Sequence, residues 1–230
     1  MKRIFLSGPI GCGKSTLIRT VLGDSLSAAG GYFTERILEG EELVGFDLVS
    51  PGVSGSPRDF ISMENSVSTE DSISQKLVQL DPADPGLYEK NGHLCFRFLT
   101  FKEGKVKRND EAFSIFASAL LRNAGTKPFA IIDEIGGFEI LIPEFMETFE
   151  MFLESQVPCV GVLKSQPSAI ELSNTAGLDS EYLKVAEHFH LRLASDTETE
   201  IVELSSHEDK HALNKLKQWK KRYLKYGELK

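Results

Sequence analysis

The residues from Gly8 to Ser15, GPIGCGKS, match the spacing GxxxxGK[ST] and follow the apolar run Ile4-Phe5-Leu6. A strand that runs into a glycine-rich turn and then a helix is the setting of a phosphate-binding loop. Glycines let the backbone close around phosphate oxygens, and the free N–H groups at the helix start hold the anion. The motif therefore predicts a nucleoside triphosphate site, in which the Lys14 ammonium reaches the β- and γ-phosphates and the Ser15 hydroxyl ligates Mg²⁺. Nucleotide contacts are predicted for the whole loop and the first helical residues: Gly8, Pro9, Ile10, Gly11, Cys12, Gly13, Lys14, Ser15 and Thr16.

A pair of acids follows a second apolar run, Phe129-Ala130-Ile131-Ile132. Such a run indicates a strand buried on both faces, whose carboxyl end lies at a site. Asp133 is the expected Walker B acid, at the tip of a strand beside the strand that precedes the phosphate loop, and would hold Mg²⁺ through water. Glu134 can polarise an attacking water, which a nucleotide-binding switch does not require. The sequence therefore predicts Lys14 and Glu134 as catalytic residues, with Ser15 and Asp133 as metal ligands.

Phosphoryl transfer also requires positive charge near the γ-phosphate beyond Lys14 and Mg²⁺. Arg36 and Lys164 are the favoured candidates, because each lies next to the end of a predicted strand. The sequence does not distinguish among the other candidates, which are Arg58, Arg97, Arg122 and Arg192. A cation supplied by a partner protein is the remaining alternative.

The elements that must position these residues alternate between helices and strands. Residues 112–123 and 144–155 carry apolar side chains at helical spacing, and residues 159–163 form another short apolar run that indicates a buried strand. This alternation predicts a parallel sheet with crossover helices.

Antiparallel strands are predicted in addition. The β-rich runs 32–38 and 43–49 flank a short polar turn that contains Gly40, which indicates a hairpin, and residues 94–101 alternate like a further strand. His188 and His190 are expected on one face of another strand. Because no third ligand lies at a suitable spacing, no metal site is predicted at these two histidines.

Composition bounds the class of protein. The chain has 230 residues, 41% of them hydrophobic, and a formal net charge of −8, which suits one α/β domain and argues against a nucleic-acid partner. No apolar stretch approaches the ~20 residues that span a bilayer, and Met1-Lys2-Arg3 leads straight into a strand. We therefore expect no membrane contact and no signal peptide. Three widely spaced cysteines, Cys12, Cys95 and Cys159, indicate reduced thiols and a cytoplasmic protein.

Two segments stand apart from this core. Residues 50–93 are predicted to hold an insertion, whose first part is rich in Ser, Pro and Gly, within a single domain that spans residues 1–230. Residues 210–230 are predicted to form a basic C-terminal helix with one apolar stripe that includes Leu216 and Trp219. Packing of this stripe on the body is the favoured interpretation, and a docking surface for an acidic protein partner or RNA is the alternative.

Several blocks together carry a family resemblance. They are Gly8–Leu17, Gly31–Glu35, Val44–Val49 and Ile132–Gly136 with Glu139. In order and rough spacing these blocks resemble a P-loop nucleoside-triphosphatase family that includes a thermophile-derived enzyme and a human cancer-related relative. The resemblance covers residues 1–49 and about 94–165, and the "DEIG" and "GF-DLV" blocks are more specific than the phosphate loop alone.

The resemblance implies a three-layer, RecA-like α/β fold, with a mostly parallel central sheet and antiparallel hairpin additions. It also implies roles for Lys14 and Ser15 on phosphate and Mg²⁺, for Asp133 in the metal shell, and for Glu134 on the water. This chain departs from the family pattern at Gly137-Phe138, where a lysine and a methionine usually follow "DEIG".

The resemblance also implies Mg²⁺-dependent hydrolysis of ATP, GTP and other nucleoside triphosphates with loose base selectivity. Together with the site residues it predicts a hydrolase that forms diphosphate and phosphate. Two alternatives stay open. One is a nucleotide-gated switch or assembly factor with slow turnover, and the other is a nucleotide or small-molecule kinase.

Overall fold

A computed structural model describes residues 1–51, 86–206 and 208–224. Its strands are β1 (Arg3–Ser7), β2 (Ala29–Glu39), β3 (Glu42–Val49), β4 (Leu87–Lys90), β5 (His93–Lys102), β6 (Lys105–Arg108), β7 (Phe129–Ile135), β8 (Cys159–Leu163) and β9 (Thr199–Glu203). Its helices are α1 (Lys14–Leu22), α2 (Ser118–Ala124), α3 (Pro143–Glu154), α4 (Gln166–Ala176), α5 (Ser180–Ser195) and α6 (Lys210–Tyr223). A π-helical segment, Ala112–Ala117, leads into α2, and 3₁₀ turns occupy Gly23–Ala28 and Phe138–Leu141.

The nine described strands form one sheet in the order β4-β5-β3-β2-β7-β8-β1-β9, with β6 paired to β5. The five strands from β2 to β9 along this order run parallel, and the pairs made by β3, β4, β5 and β6 are antiparallel. Crossovers through helices join the parallel strands, and short turns join the antiparallel ones, as connection length requires. The prediction of a mostly parallel α/β sheet with antiparallel additions is confirmed.

Helices cover both faces of the sheet, which makes three layers. On one face α2, α3, α4 and α5 pack over an aromatic core that includes Phe113, Phe145, Phe149 and Phe189. On the other face α1 and α6 pack over the second core cluster, which includes Leu17 and Trp219. Because the parallel strands are covered on both faces, β1, β7 and β8 are almost wholly buried, as their continuous apolar sequences predict.

The hairpin prediction is confirmed as β2 and β3, whose register pairs Phe33 with Val49 and Glu39 with Glu42. The strand predicted at 94–101 is β5, and the helices predicted at 112–123 and 144–155 are the π-helical segment with α2 and then α3. Of the predicted insertion at 50–93, residues 52–85 lie outside the described part of the chain, and β4 is the element seen near its end.

Two expectations were wrong. His188 and His190 lie in α5 rather than in a strand, and at helical spacing residues two apart do not share a face. Asp179 caps the start of the helix, and its carboxylate accepts the backbone N–H groups of Glu181 and Tyr182. The strand that carries Asp133, β7, is also not beside β1, because β8 pairs with both β7 and β1 and separates them.

Candidate active site

The phosphate loop joins β1 to α1. Gly8 has a φ of +144°, and a Cβ atom placed there would lie 2.2 Å from the Leu204 carbonyl oxygen beside the end of β9. Gly13, with a φ of +92°, stands immediately before the helix. Glycine is the residue that adopts both conformations without strain. The loop therefore folds tightly against the strand end and presents the first N–H groups of α1 toward its open side.

Lys14 is the first residue of α1, and its side chain turns back over the loop. The ammonium donates hydrogen bonds to the Gly8 carbonyl at 2.9 Å and the Pro9 carbonyl at 2.7 Å. The side chain is buried, whereas Pro9, Ile10, Gly11 and Thr16 are exposed. The loop thus carries a fixed positive charge under an open rim, which is the arrangement that an anion requires.

Ser15 and Asp133 meet across the gap between α1 and β7. The Ser15 hydroxyl donates to Asp133 Oδ1 at 2.8 Å, and Asp133 Oδ2 is buried with no hydrogen-bond partner among the described residues. Burial raises the pKa of Asp133 to about 7, although the Ser15 hydrogen bond opposes the rise. A buried carboxylate oxygen without a donor beside a hydroxyl offers the hard oxygen ligands that Mg²⁺ prefers.

Glu134 follows directly, at an irregularity in the sheet. The β7–β8 register shifts between Asp133 and Ile135, so Glu134 has no partner in that ladder. Its backbone N–H instead donates to the Thr34 hydroxyl of β2 at 3.1 Å. An extra residue of this kind can redirect a side chain. The two adjacent acids consequently have different surroundings. Asp133 contacts Ser15 of α1, and Glu134 contacts the residue that follows β8.

Lys164 is that residue, and its ammonium donates to Glu134 Oε1 at 2.8 Å. The Lys164 side chain is 14% exposed, and the charge of Glu134 helps to raise its pKa against the cost of burial. Gly136 and Gly137 leave the space that this side chain occupies, because a Cβ on Gly136 would lie 3.2 Å from Lys164 Cβ. The site therefore contains a second lysine, which contacts Glu134.

Glu139 stabilises the turn that follows β7. Its Oε1 atom accepts the N–H groups of Gly136 and Gly137, both at 2.7 Å, which ties down the turn after β7. Burial raises the pKa of Glu139 to about 7, although these two N–H groups and Lys164 favour its charged form. The family blocks in the sequence included Glu139 but gave it no role. Its position three residues after Gly136 and two after Gly137 is the sequence pattern that could have predicted this turn.

The cationic side chains that the sequence offered as candidates lie in different parts of the structure. Lys164 and Arg36 both line a cleft that Glu134 also lines, whereas Arg58 lies outside the described residues. The remaining three contact partners away from the phosphate loop: Arg97 pairs with Asp47, Arg122 donates to the Thr148 hydroxyl, and Arg192 pairs with Glu150. Among the candidates that the structure describes, only Arg36 and Lys164 line the same cleft as Glu134.

Within residues 1–51, 86–206 and 208–224, no group of three or more His, Cys, Asp and Glu side chains could by itself hold a metal ion. A cation at Ser15 and Asp133 would therefore need further oxygen ligands from water or phosphate. In the described part of the chain, no helix has the length and apolar character needed to cross a membrane.

A three-layer α/β fold with a glycine-rich loop between β1 and α1, and with an acid pair at the end of a nearby parallel strand, defines the P-loop class of nucleotide-binding proteins. The chain is similar in fold to the crystal structure of THEP1 from the hyperthermophile Aquifex aeolicus, with a TM-score of 0.50. The two chains are 17% identical, and the match covers 93% of this chain and 96% of that one.

Sequence comparison identifies the family. A family model described as NTPase matches residues 68–188, which include Asp133 and Glu134. The human cancer-related nucleoside-triphosphatase is 35% identical over 181 residues, covering 74% of this chain and 80% of that protein. Nucleoside-triphosphatase THEP1 of Thermotoga maritima is 26% identical over 174 residues, covering 75% and 80% of the two chains. The chain therefore belongs to this family of NTPase enzymes.

Proposed function

We propose that this enzyme hydrolyses nucleoside 5'-triphosphates to diphosphate and phosphate in a Mg²⁺-dependent reaction, with the loose base selectivity that its family resemblance implies. The observation that carries the proposal is the buried, unpartnered Asp133 oxygen beside the Ser15 hydroxyl, next to a phosphate loop. It is supported by the position of Glu134 at the same strand end. Asp133 and Ser15 suit a metal, and Glu134 suits a water.

The phosphate loop and Lys14 would bind the triphosphate. The exposed rim of the loop leaves its N–H groups open to phosphate oxygens, and Lys14 already lies across it with its ammonium on two carbonyls. Ser15 and Asp133 would hold Mg²⁺, which when bound neutralises charge on the phosphate oxygens. These groups position the γ-phosphoryl group and stabilise the charge that develops as it transfers.

Glu134 would act on the water. The water oxygen attacks the γ-phosphorus, its proton passes to the Glu134 carboxylate, and the bond from the γ-phosphorus to the bridging oxygen breaks with its electron pair left on the diphosphate. The Lys164 ammonium donates to this carboxylate at 2.8 Å, which fixes the position of the carboxylate.

A nucleotide-gated switch with slow turnover is the second candidate, and one observation favours it. The two predicted catalytic residues already have protein partners, since Lys14 donates to loop carbonyls and Glu134 pairs with Lys164. Turnover would then require both contacts to rearrange. A steady-state rate far below the usual ~1–10³ s⁻¹ would favour the switch.

We further propose a cytoplasmic location, which the three free thiols of Cys12, Cys95 and Cys159 support.

Phosphate release from ATP, GTP, CTP and UTP tests the proposal. We expect release from all four by the wild type with Mg²⁺, and loss of release on addition of EDTA. Asp133→Asn, which keeps the shape and removes the charge, should lower release at least ~100-fold, because a metal ligand and its charge are lost. Asp179→Asn, the same change at the exposed residue that caps α5, is the matched control and should leave release unchanged. Release that is equal with EDTA, or unchanged in Asp133→Asn, would contradict the proposal.

A further inference from the structure

Beside Glu134 lies a cleft of about 330 Å³, between the antiparallel part of the sheet and α4. Its wall is aromatic: Phe46 packs 6.0 Å from both Phe98 and Phe101, and Phe98 lies 6.1 Å from Phe138, measured between ring centroids. These rings form one preformed apolar surface, because each contacts another member of the set. A volume and lining of this kind are typical of a small-molecule site.

The cleft meets the proposed reaction centre at one end. Glu134, Lys164 and Ile10 of the phosphate loop all line it. A hydrolase needs room beside its carboxylate for one water, for which a cavity of roughly 10–15 Å³ is sufficient. The cleft is far larger than that and mostly apolar, so a single water does not account for it.

Arg36 also lines the cleft, on its β2 side. Thr34 accepts the Glu134 N–H, and Arg36 is two residues further along β2 on the same face, roughly 7 Å away along the strand. Arg36 is exposed, and its guanidinium has no ion pair or hydrogen bond within the described residues. The other charged lining residues besides Glu134 and Lys164 are Glu139 and Glu171, both near Lys164. The β2 side of the cleft therefore offers a positive charge roughly 7 Å along the strand from the residue that contacts Glu134.

We propose that this cleft binds a small alcohol that has an apolar, ring-sized body and an anionic group, and that the enzyme transfers the γ-phosphoryl group to its hydroxyl in place of water. The anion pairs with Arg36, the body packs on Phe46 and Phe101, and the hydroxyl lies at Glu134. The inference rests on the proposed triphosphate site and adds a second substrate to it.

The chemistry parallels hydrolysis. The alcohol oxygen attacks the γ-phosphorus, its proton passes to the Glu134 carboxylate, and the bond to the bridging oxygen breaks with its electron pair left on the nucleoside diphosphate. The products are a phosphate monoester and a diphosphate. Hydrolysis releases equal amounts of diphosphate and inorganic phosphate, whereas transfer releases diphosphate without inorganic phosphate.

The test uses 4-(hydroxymethyl)benzoate, whose hydroxyl and carboxylate stand at opposite ends of a ring. The full-length enzyme turns over ATP with Mg²⁺ while ADP and inorganic phosphate are measured together, and ³¹P spectra identify any ester. We expect ADP to exceed phosphate in proportion to the ester formed. With 4-methylbenzoate, which lacks the hydroxyl, the two products should stay equal.

Arg36→Gln tests the proposed orientation of the alcohol in the cleft. Loss of the charge-assisted contact should raise the alcohol concentration for half-maximal transfer at least ~10-fold. Arg222→Gln, on the opposite layer of helices, is the matched control and should leave it unchanged. Transfer that is insensitive to Arg36→Gln would overturn the assignment of Arg36.

The outcomes separate this inference from the proposed function. Equal ADP and phosphate at every concentration of 4-(hydroxymethyl)benzoate would overturn the acceptor site and leave hydrolysis standing. Absence of both products, with and without the alcohol, would overturn the proposed function and the acceptor site together.

Discussion

The Asp133 carboxyl group is almost completely buried, yet one of its two oxygens has no partner among the described residues. An unsatisfied buried acceptor costs free energy, so the fold alone gives no reason for it. Glu134, one residue later, is partly exposed and pairs with Lys164. Two adjacent carboxyl groups with different surroundings can perform different tasks, one on a metal and one on a water.

Asp133 also predicts a pH dependence of stability. Its folded pKa of about 7 lies above the ordinary value of 3.8, so protonation favours the folded state. The contribution is fully present below about pH 4 and is lost as pH rises through 7. In metal-free solution the free energy of unfolding should therefore fall between pH 5 and pH 8, by an amount on the order of a few kcal/mol.

Urea denaturation across this pH range measures the effect. Asp133→Asn has no proton to lose at this position, so its slope should be clearly smaller, with the remainder assigned to Glu139, whose folded pKa is also about 7. Equal slopes in the wild type and the variant would show that burial of Asp133 does not disfavour its charge.

At the scale of elements, the order of three parallel strands builds the site. β8 lies between β1 and β7, so the phosphate loop and the acid pair end on strands that are not neighbours. From β7, Asp133 contacts Ser15 of α1 and Glu134 contacts Lys164, which follows β8. Two adjacent residues of one strand therefore connect to the elements that follow β1 and β8.

The loop before α1 gives a prediction with an internal control. Gly8→Ala would place a Cβ 2.2 Å from the Leu204 carbonyl at a φ of +144°, whereas a Cβ on Gly11, at a φ of +78°, meets no atom within 4 Å. We expect Gly8→Ala to lower the free energy of unfolding by about 3 kcal/mol or more, and Gly11→Ala by about 1 kcal/mol. Chemical denaturation of both variants measures the difference, and equal losses would mean that contact with Leu204 is unimportant.

Sequence alone predicted the elements whose signals are local. The phosphate loop, the hairpin around Gly40 and the acid pair after Ile132 each lie within a few residues, so motif and periodicity are sufficient. The contacts of Thr34 with Glu134 and of Lys164 with Glu134 join residues 100 and 30 positions apart, which no local pattern encodes. The strand predicted at His188 and His190 was wrong because short apolar stretches do not distinguish strand from helix, and the cap at Asp179 was overlooked.

At the scale of the whole molecule, α6 joins the end of the described chain to its beginning. Trp219 packs edge-on against Phe129, with ring centroids 5.9 Å apart, and its indole N–H donates to the Lys2 carbonyl at 2.8 Å. The Lys220 ammonium donates to the last carbonyls of α1, those of Val21 and Leu22. One face of the helix is thus part of the core. Its exposed basic face is the part that could contact an acidic partner.

Trp219→Ala tests whether this packing stabilises the domain that we propose for residues 1–230. Trp219 is 6% exposed, so its removal should lower the free energy of unfolding by about 3–5 kcal/mol and leave a cavity over β1 and β7. Lys217→Ala, an exposed change on the same helix, should have an effect within about 0.5 kcal/mol. If thermal and chemical denaturation of Trp219→Ala match the wild type, the helix is an appended docking element instead.

In the proposed mechanism, Glu134 acts on water at a site that other residues assemble. The most direct measurement is triphosphate affinity and phosphate release on the same preparation of Glu134→Gln and wild type. We predict that the variant binds ATP with Mg²⁺ as tightly as the wild type, within about threefold, while phosphate release falls at least ~100-fold. Release at the wild-type rate would contradict the account, because the water would then be activated without Glu134.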